Sequence, residues 1–115
     1  MIVRVVTGRV VPRHASEFRR FTMEQIGRLR RTDGLLDALA GRQVEPDGEP
    51  FVLVTLWRDL EAIYRWLGED DLLGSLGPLR AHPDWVEGVD IQHYESVATQ
   101  VAGPAADDPG AGPPG

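Results

Sequence analysis

The chain has 115 residues, 42% of them hydrophobic and 26% charged, which is typical of one soluble globular domain with a hydrophobic core. It contains no cysteine, which excludes disulfides, thiolate metal sites and thiol nucleophiles. The formal net charge of −6 argues against nucleic acid as the main partner, and no apolar run is long enough to cross a membrane. We therefore expect a cytoplasmic protein.

The first third of the chain predicts a strand followed by an amphipathic helix. The segment "IVRVVTGRVV" (Ile2–Val11) is rich in β-branched residues, as strands are. Pro12 suits the first turn of a helix that runs to about Arg31, and Gly34 lies just beyond its end. At about 100° per residue, one stripe of this helix is apolar and consists of Phe18, Phe21, Ile26 and Leu29. We expect that stripe to cover a sheet.

Two polar residues, Thr22 and Gln25, fall inside the same stripe. A polar side chain that faces a sheet needs a hydrogen-bond partner. Either the two residues make buried hydrogen bonds, or they border a ligand cavity between helix and sheet.

Two strands and a second helix are predicted next. "GLLDALAGRQV" (Gly34–Val44) reads as a strand, and the turn-forming "EPDGEP" sends the chain back antiparallel. "FVLVTLW" (Phe51–Trp57) is apolar on both faces, which indicates a central strand. In "RDLEAIYRWLG" we expect Asp59 to cap a helix and Gly68 to end it.

The rest of the chain is less regular. A short helix is expected near residues 71–75, followed by a loop that contains "RAHPDW" and by a last strand over Val89–Val97. From Ala102 onward the chain is almost wholly Ala, Gly, Pro and Asp, which predicts a disordered tail over residues 98–115 after a domain of residues 1–97.

The element order β-α-β-β-α-β predicts an α+β, ferredoxin-like fold with a four-stranded antiparallel sheet. In that topology the first and third strands lie at the centre of the sheet. Two helices can cover only one of its faces, so the other, apolar face needs a partner. We expect a homodimer with sheets face to face, forming a dimeric α/β barrel.

At this point the segment "GLLDALAGRQVEPDGEPFVLVTLWRDLEAIYRWLGEDD" resembles the antibiotic biosynthesis monooxygenase family of the dimeric α+β barrel superfamily. The resemblance extends over about residues 1–97 and is most specific in the spacing of Trp57, Glu61-Ala62 and Trp66-Leu67. It implies oxidation of an aromatic or polyketide-type molecule to a quinone by oxygen, without metal or flavin. Other relatives in the family degrade haem.

The site residues of that family match this sequence only in part. Thr7, Trp66 and Leu76 stand where the haem-degrading branch has Asn, Trp and His, which argues against haem degradation. In the quinone-forming branch an Asn precedes the strand-ending Trp by four residues; here Leu53 replaces it and Trp57 is kept. Tyr64 matches the helical Tyr of that branch with a shift of one residue.

The candidate catalytic residues are therefore His82, His93 and Trp66, with either histidine as the base. The candidate substrate-binding residues are Trp57, Tyr64, Gln25, Thr22 and Thr7. We expect no cofactor, and no pair of histidines has the close spacing of a metal site.

Helical arithmetic makes a further prediction for the second helix. Leu60, Ile63, Tyr64 and Leu67 share one stripe, while Trp66 lies roughly 110° from its centre. Tyr64 should therefore be buried in the core. Trp66 should lie on the flank of the helix and be partly buried at most, either in a pocket or dimer seam or in simple flank packing.

Two functions remain open. The first is a cofactor-independent, monooxygenase-like enzyme; the second is a non-catalytic, dimeric ligand-binding or auxiliary domain. A cavity below about 100 Å³ beside Trp66 would favour the second, because drug-sized ligands need roughly 300 Å³ or more.

Overall fold

A computed structural model describes residues 1–44, 49–68 and 75–98. Its elements are β1 (Ile2–Val10), a 3₁₀ helix (Pro12–His14), α1 (Ala15–Leu29), β2 (Leu35–Arg42), β3 (Pro50–Trp57), α2 (Leu60–Leu67), two further 3₁₀ helices (Gly77–Ala81 and Pro83–Trp85) and β4 (Val86–Glu95). The strands form one antiparallel sheet in the order β2-β3-β1-β4. The predicted ferredoxin-like fold is therefore confirmed, and β1 and β3 are the central strands as expected.

Alternate residues of the strands face opposite sides of the sheet. On the side of the helices lie buried residues of the core, among them Val6 and Val10 of β1 and Phe51 and Trp57 of β3. The opposite side, called here the open face, is also apolar and includes Val3, Val5, Val52, Val54 and Leu56. No element in the described part of the chain covers the open face.

The core has two clusters. One, formed by Val6, Val10, Phe18, Phe51, Leu79 and Val86, joins the sheet to α1. The other, formed by Trp57, Ala62, Ile63 and Leu67, joins it to α2. Removal of this apolar surface from water is the main term that holds the helices on the sheet.

The ends of α2 are those predicted from the sequence. Asp59 is the N-cap, and its carboxylate accepts a 2.9 Å hydrogen bond from the backbone N–H of Ala62. Gly68 follows the last helical residue with a φ of 85°, a conformation that glycine adopts without a steric cost.

The rotation of α2 differs from the prediction. Its buried residues are Ala62, Ile63 and Leu67, whereas Tyr64 is 47% exposed, so the prediction that Tyr64 lies in the core is wrong. The helix turns its small residue Ala62 towards Gly34, so closely that a Cβ atom on Gly34 would overlap the Ala62 side chain. Trp66, one helical turn after Ala62, is partly buried and packs on the ring of Trp57.

Two elements start three residues away from the predicted position. The segment that begins at Pro12 is first a 3₁₀ turn, and the α-helix begins only at Ala15. The last strand begins at Val86 rather than Val89, because a register shift opposite Thr7–Arg9 and a φ of 61° at Gly88 let the strand continue through this glycine.

Residues 71–74 of the expected short helix near residues 71–75 and most of the expected tail lie outside the described residues, and the 1–97 domain boundary stays a prediction. In the described segments no helix is both long and apolar enough to cross a membrane.

Candidate functional site

A cavity of about 70 Å³ lies between the helices and the inner side of the sheet. Most of its wall is aliphatic or aromatic, with Phe21 and Ile26 from α1 and Trp66 from α2. The polar residues that line it are Arg4, Thr22, Gln25 and Thr55. Such a cavity favours an apolar ligand that carries few polar groups.

One row of polar residues crosses the inner side of the sheet at this cavity. Arg4 of β1 pairs with Thr55 of β3 on one side and with His93 of β4 on the other. The next inward row, Leu53, Val6 and Ile91, is wholly apolar. Arg4 is only 2% exposed and Thr55 only 8%. A buried cation in this position is unusual and indicates a specific role.

Three contacts with residues of the described segments hold the Arg4 guanidinium. It donates hydrogen bonds to the carbonyl oxygen of Ser75 and to Nε2 of His93, the latter at 3.0 Å. Its Cζ atom lies 5.7 Å from the centre of the Trp66 ring, within cation–π range. Burial lowers the pKa of Arg4 to about 10, so the group still carries its charge at neutral pH.

The contact with Arg4 also determines the state of His93. Arginine can only donate, so Nε2 of His93 accepts and the proton of the neutral ring is on Nδ1. Desolvation, and secondly the charge of Arg4, lower the pKa of His93. The imidazole is therefore neutral at pH 7, but the nitrogen that could act as a base is already engaged by Arg4.

A second pair, Trp57 and Thr55, lies on β3 beside Arg4. The indole Nε1 of Trp57 donates a 2.7 Å hydrogen bond to the hydroxyl oxygen of Thr55. The Trp57 ring is fully buried and packs against the Trp66 ring, with 5.1 Å between centroids. Trp57 therefore supports the cavity from behind and does not line it.

The segment after residue 74 closes one side of the cavity through Leu76, Pro78 and Leu79. Gly77 in this segment has a φ of 64°, and a Cβ atom there would lie 3.0 Å from Cη2 of Trp66. The absence of a side chain at Gly77 thus lets the backbone lie directly on the Trp66 ring.

Three of the predicted site residues meet at this cavity: Trp66, Thr22 and Gln25. Within the described segments neither Thr22 nor Gln25 makes a side-chain hydrogen bond, so of the two interpretations the cavity is the one that fits. Trp66 is partly buried, as expected for the flank of α2, and it lines the cavity, which is the pocket alternative for this residue.

The other predicted site residues lie elsewhere. Tyr64 is on the outer surface of α2, and Thr7 is on the open face, as the register of β1 requires. The ring of His82 stacks on that of Trp85 with 3.8 Å between centroids, and it forms a T-shaped pair with Phe21 at a centroid distance of 5.4 Å. It therefore reaches the cavity only through Phe21. Neither candidate base, His82 or His93, lines the cavity.

Arg4 and Thr55 were not among the residues predicted for the site. Each is the single polar residue at an inward position of its strand, Arg4 in "IVRVV" and Thr55 in "LVTLW". Their inward positions could be read from the alternation of residues in each strand. A buried polar residue is more informative about function than a buried apolar one.

Across residues 1–44, 49–68 and 75–98, no three His, Asp or Glu side chains lie together as metal ligands would. The expectation that no cofactor is needed stays a prediction.

Several solved structures have a fold similar to that of this chain. Among solved structures, a candidate antibiotic biosynthesis monooxygenase from Deinococcus radiodurans is similar, with a TM-score of 0.69 and 21% identity over 90% of this chain and 100% of that one. The protein Rv0793 from Mycobacterium tuberculosis gives a TM-score of 0.67 and 19% identity over 87% and 98%. The heme-degrader MhuD from the same organism gives a TM-score of 0.62 and 20% identity over 88% of this chain and 100% of that one. At these identities the similarity shows the fold.

No curated protein is similar enough in sequence to count as a relative. The family model for antibiotic biosynthesis monooxygenases, however, matches residues 1–73, which is more than half of the chain. The chain therefore belongs to the antibiotic biosynthesis monooxygenase family.

Proposed function

We propose that the protein is a cofactor-independent, monooxygenase-like enzyme that oxidises a small aromatic or polyketide-type molecule with an acidic hydroxyl group. The observation that carries the proposal is the buried cation Arg4 at the wall of an apolar cavity beside Trp66. In such a cavity a positive charge stabilises a substrate anion far more than it would in water.

The cation supplies a route that needs no protein base in the cavity. An opposite charge within about 4–6 Å lowers the pKa of an acidic group by roughly 1–3 units. A phenol or enol beside Arg4 would therefore lose its proton to solvent near neutral pH. The flat anion would pack on Trp66, and the apolar walls would keep water from the reacting carbon.

The reaction then follows from the chemistry of the anion. Its electron-rich carbon adds molecular oxygen to form a peroxide at what was a CH₂ group. Loss of water breaks the O–O bond and leaves a carbonyl. One oxygen atom stays in the product, while the other leaves as water with the two hydrogens of that carbon.

Oxygen uptake with a panel of hydroxyanthrones tests the proposal. Arg4→Met should lower kcat/KM by about 100-fold, the usual loss for a group that stabilises an oxyanion. Trp66→Ala should also lower it, whereas Arg20→Met, a change of an exposed arginine on α1, should not. Uptake by wild type that neither Arg4→Met nor Trp66→Ala reduces would refute the site, and unchanged rates in His82→Ala and His93→Ala would remove the histidines from it.

A second candidate function, a non-catalytic ligand-binding domain on the same scaffold, is favoured by the size of the cavity. About 70 Å³ is below the roughly 300 Å³ of a typical site for a drug-sized ligand. This function predicts no oxygen uptake with hydroxyanthrones, and saturable quenching of tryptophan fluorescence only by molecules small enough for the cavity.

Haem degradation is the activity that the residues support least. Thr7 lies on the open face and Leu76 forms an apolar wall, so neither supplies the polar group found at the matching positions of haem-degrading relatives. Protein mixed with haemin and a reductant should leave the Soret band intact.

The homodimer is part of the same proposal. The open face presents half-buried apolar residues along both central strands, and an exposed apolar surface of this kind is typical of an interface. A second copy placed on this face would form the barrel of the family and leave both cavities on the outer sides of the sheets.

A further inference from the structure

We infer that Thr55 is a hydrogen-bond donor to an anionic oxygen of the ligand, with Trp57 as its positioning residue. The cavity would accordingly select molecules that present an anionic oxygen over neutral molecules of the same shape. The inference rests on the proposed function in one respect, because both place the ligand in this cavity.

The first step is the direction of the hydrogen bond between the two side chains. An indole N–H can only donate, so in the 2.7 Å contact the Thr55 oxygen is the acceptor. The hydroxyl has one proton, and this proton must then point away from Trp57. Because Trp57 is fully buried, it holds the hydroxyl in this orientation.

The second step is where the hydroxyl proton can go. Thr55 lines the cavity and is more than nine-tenths buried. In the described segments no acceptor for this proton is found, since the contact with Trp57 is the only hydrogen bond of the side chain there. A buried donor without an acceptor is costly, and an acceptor atom supplied by a ligand removes that cost.

The third step is the charge of the neighbouring residue. Arg4 is the direct partner of Thr55 across β1 and β3, and its guanidinium also only donates. No acidic side chain is among the described residues that line the cavity. Two donor residues in the same inward row, one of them cationic, form an environment complementary to a negatively charged oxygen.

The test compares two small molecules of nearly equal shape, trifluoroacetate and trifluoroacetamide, by ¹⁹F NMR titration of the full chain. Wild type should bind the anion at least about tenfold more tightly than the neutral amide, since a hydrogen bond to a charged group is the stronger one. Thr55→Val removes only the hydroxyl and should weaken binding of the anion by about tenfold or more, and that of the amide by less. Thr55→Ser should keep the preference of wild type.

Two further variants separate the role of Thr55 from general damage. Thr22→Val removes a hydroxyl from the same cavity and should reduce the preference for the anion much less. Trp57→Phe should reduce the preference by an intermediate amount, because the Thr55 hydroxyl is then free to rotate.

The inference is overturned if wild type binds neither molecule, if it binds both equally, or if Thr55→Val keeps the full preference for the anion. A preference for the anion in a protein that consumes no oxygen would refute the monooxygenase function alone. Oxygen consumption without that preference would refute the role of Thr55 alone.

Discussion

The guanidinium of Arg4 lies 3.0 Å from the imidazole Nε2 of His93, and this contact is possible only while the imidazole is neutral. Protonation of His93 would replace an acceptor by a donor and place two positive charges together. The link between the two strands β1 and β4 is therefore sensitive to acid.

The free energy of unfolding should decrease as the pH is lowered, because of this contact between Arg4 and His93. The pKa of His93 in the folded state is below its ordinary value of 6.5, so in the interval between the two values the unfolded chain binds more protons. The contribution is complete above about pH 6.5 and is lost as the pH falls through the lowered pKa. Urea unfolding at pH 7 and pH 5 should show a smaller loss of stability for His93→Gln than for wild type. An equal loss in both proteins would contradict the assignment, and His82→Gln is the matched control.

Two glycine substitutions should have opposite effects on stability. Gly34 has a φ of 87° and abuts Ala62, so Gly34→Ala should lower the free energy of unfolding by about 2–4 kcal/mol through strain and overlap. Gly27 lies in α1, and a methyl group added there would have no neighbouring atom within 4 Å, so Gly27→Ala should raise stability by about 0.5–1 kcal/mol. Denaturant unfolding of both variants shows whether the free energy of unfolding falls in Gly34→Ala and rises in Gly27→Ala. Loss of stability in Gly27→Ala would contradict this account of α1.

Substitutions at two neighbouring residues of α2 should differ in their effect on the free energy of unfolding. Ile63 is fully buried against Trp57, and Ile63→Ala should cost about 2–5 kcal/mol of stability. Tyr64 is on the outer surface, and Tyr64→Ala should change stability by no more than about 0.5 kcal/mol. Thermal or urea unfolding distinguishes the two. A large effect at Tyr64 would mean that α2 has the rotation predicted from the sequence.

A charge on the open face should separate the proposed dimer. Val5 and Val54 face each other across the two central strands, and Val54→Asp would bury a carboxylate in the interface without a partner. Sedimentation at micromolar concentration should give a dimer for wild type and a monomer for Val54→Asp. Met23→Asp, on the exposed side of α1, should leave the dimer intact. A monomeric wild type would disprove the dimer.

The order of strands and helices could be predicted because each element carries its own pattern. The apolar runs around β1 and β3 indicate central strands, and the capping residues Asp59 and Gly68 fix the ends of α2. These are local signals, and the topology then follows from a small set of permitted connections.

The rotation of α2 could not be obtained in the same way. The prediction weighted the large residues Leu60 and Tyr64, whereas the docking of the helix depends on how closely Ala62 approaches Gly34. That contact joins residues that are distant in sequence and small in size, and hydrophobic periodicity gives small residues little weight. The boundary of β4 was missed for a similar reason, because Gly88 reads as a strand breaker until the bulge opposite it is known.

The site was predicted only in part because its polar residues come from four elements. Thr22 and Gln25 break the stripe of one helix and were therefore visible as a pair. Arg4, Thr55 and His93 belong to three strands, and they form one row only once the register of the sheet is fixed.

The alternation of β1 has a consequence for how binding and assembly depend on each other. Arg4 faces the cavity and Val5, the next residue, faces the proposed dimer interface, so one strand is the common wall of both sites. Any ligand whose binding shifts this strand changes the affinity of the two subunits, and dimerisation must then change the affinity for the ligand by the same factor. Ligand affinity measured at nanomolar protein should accordingly differ from that measured at micromolar protein.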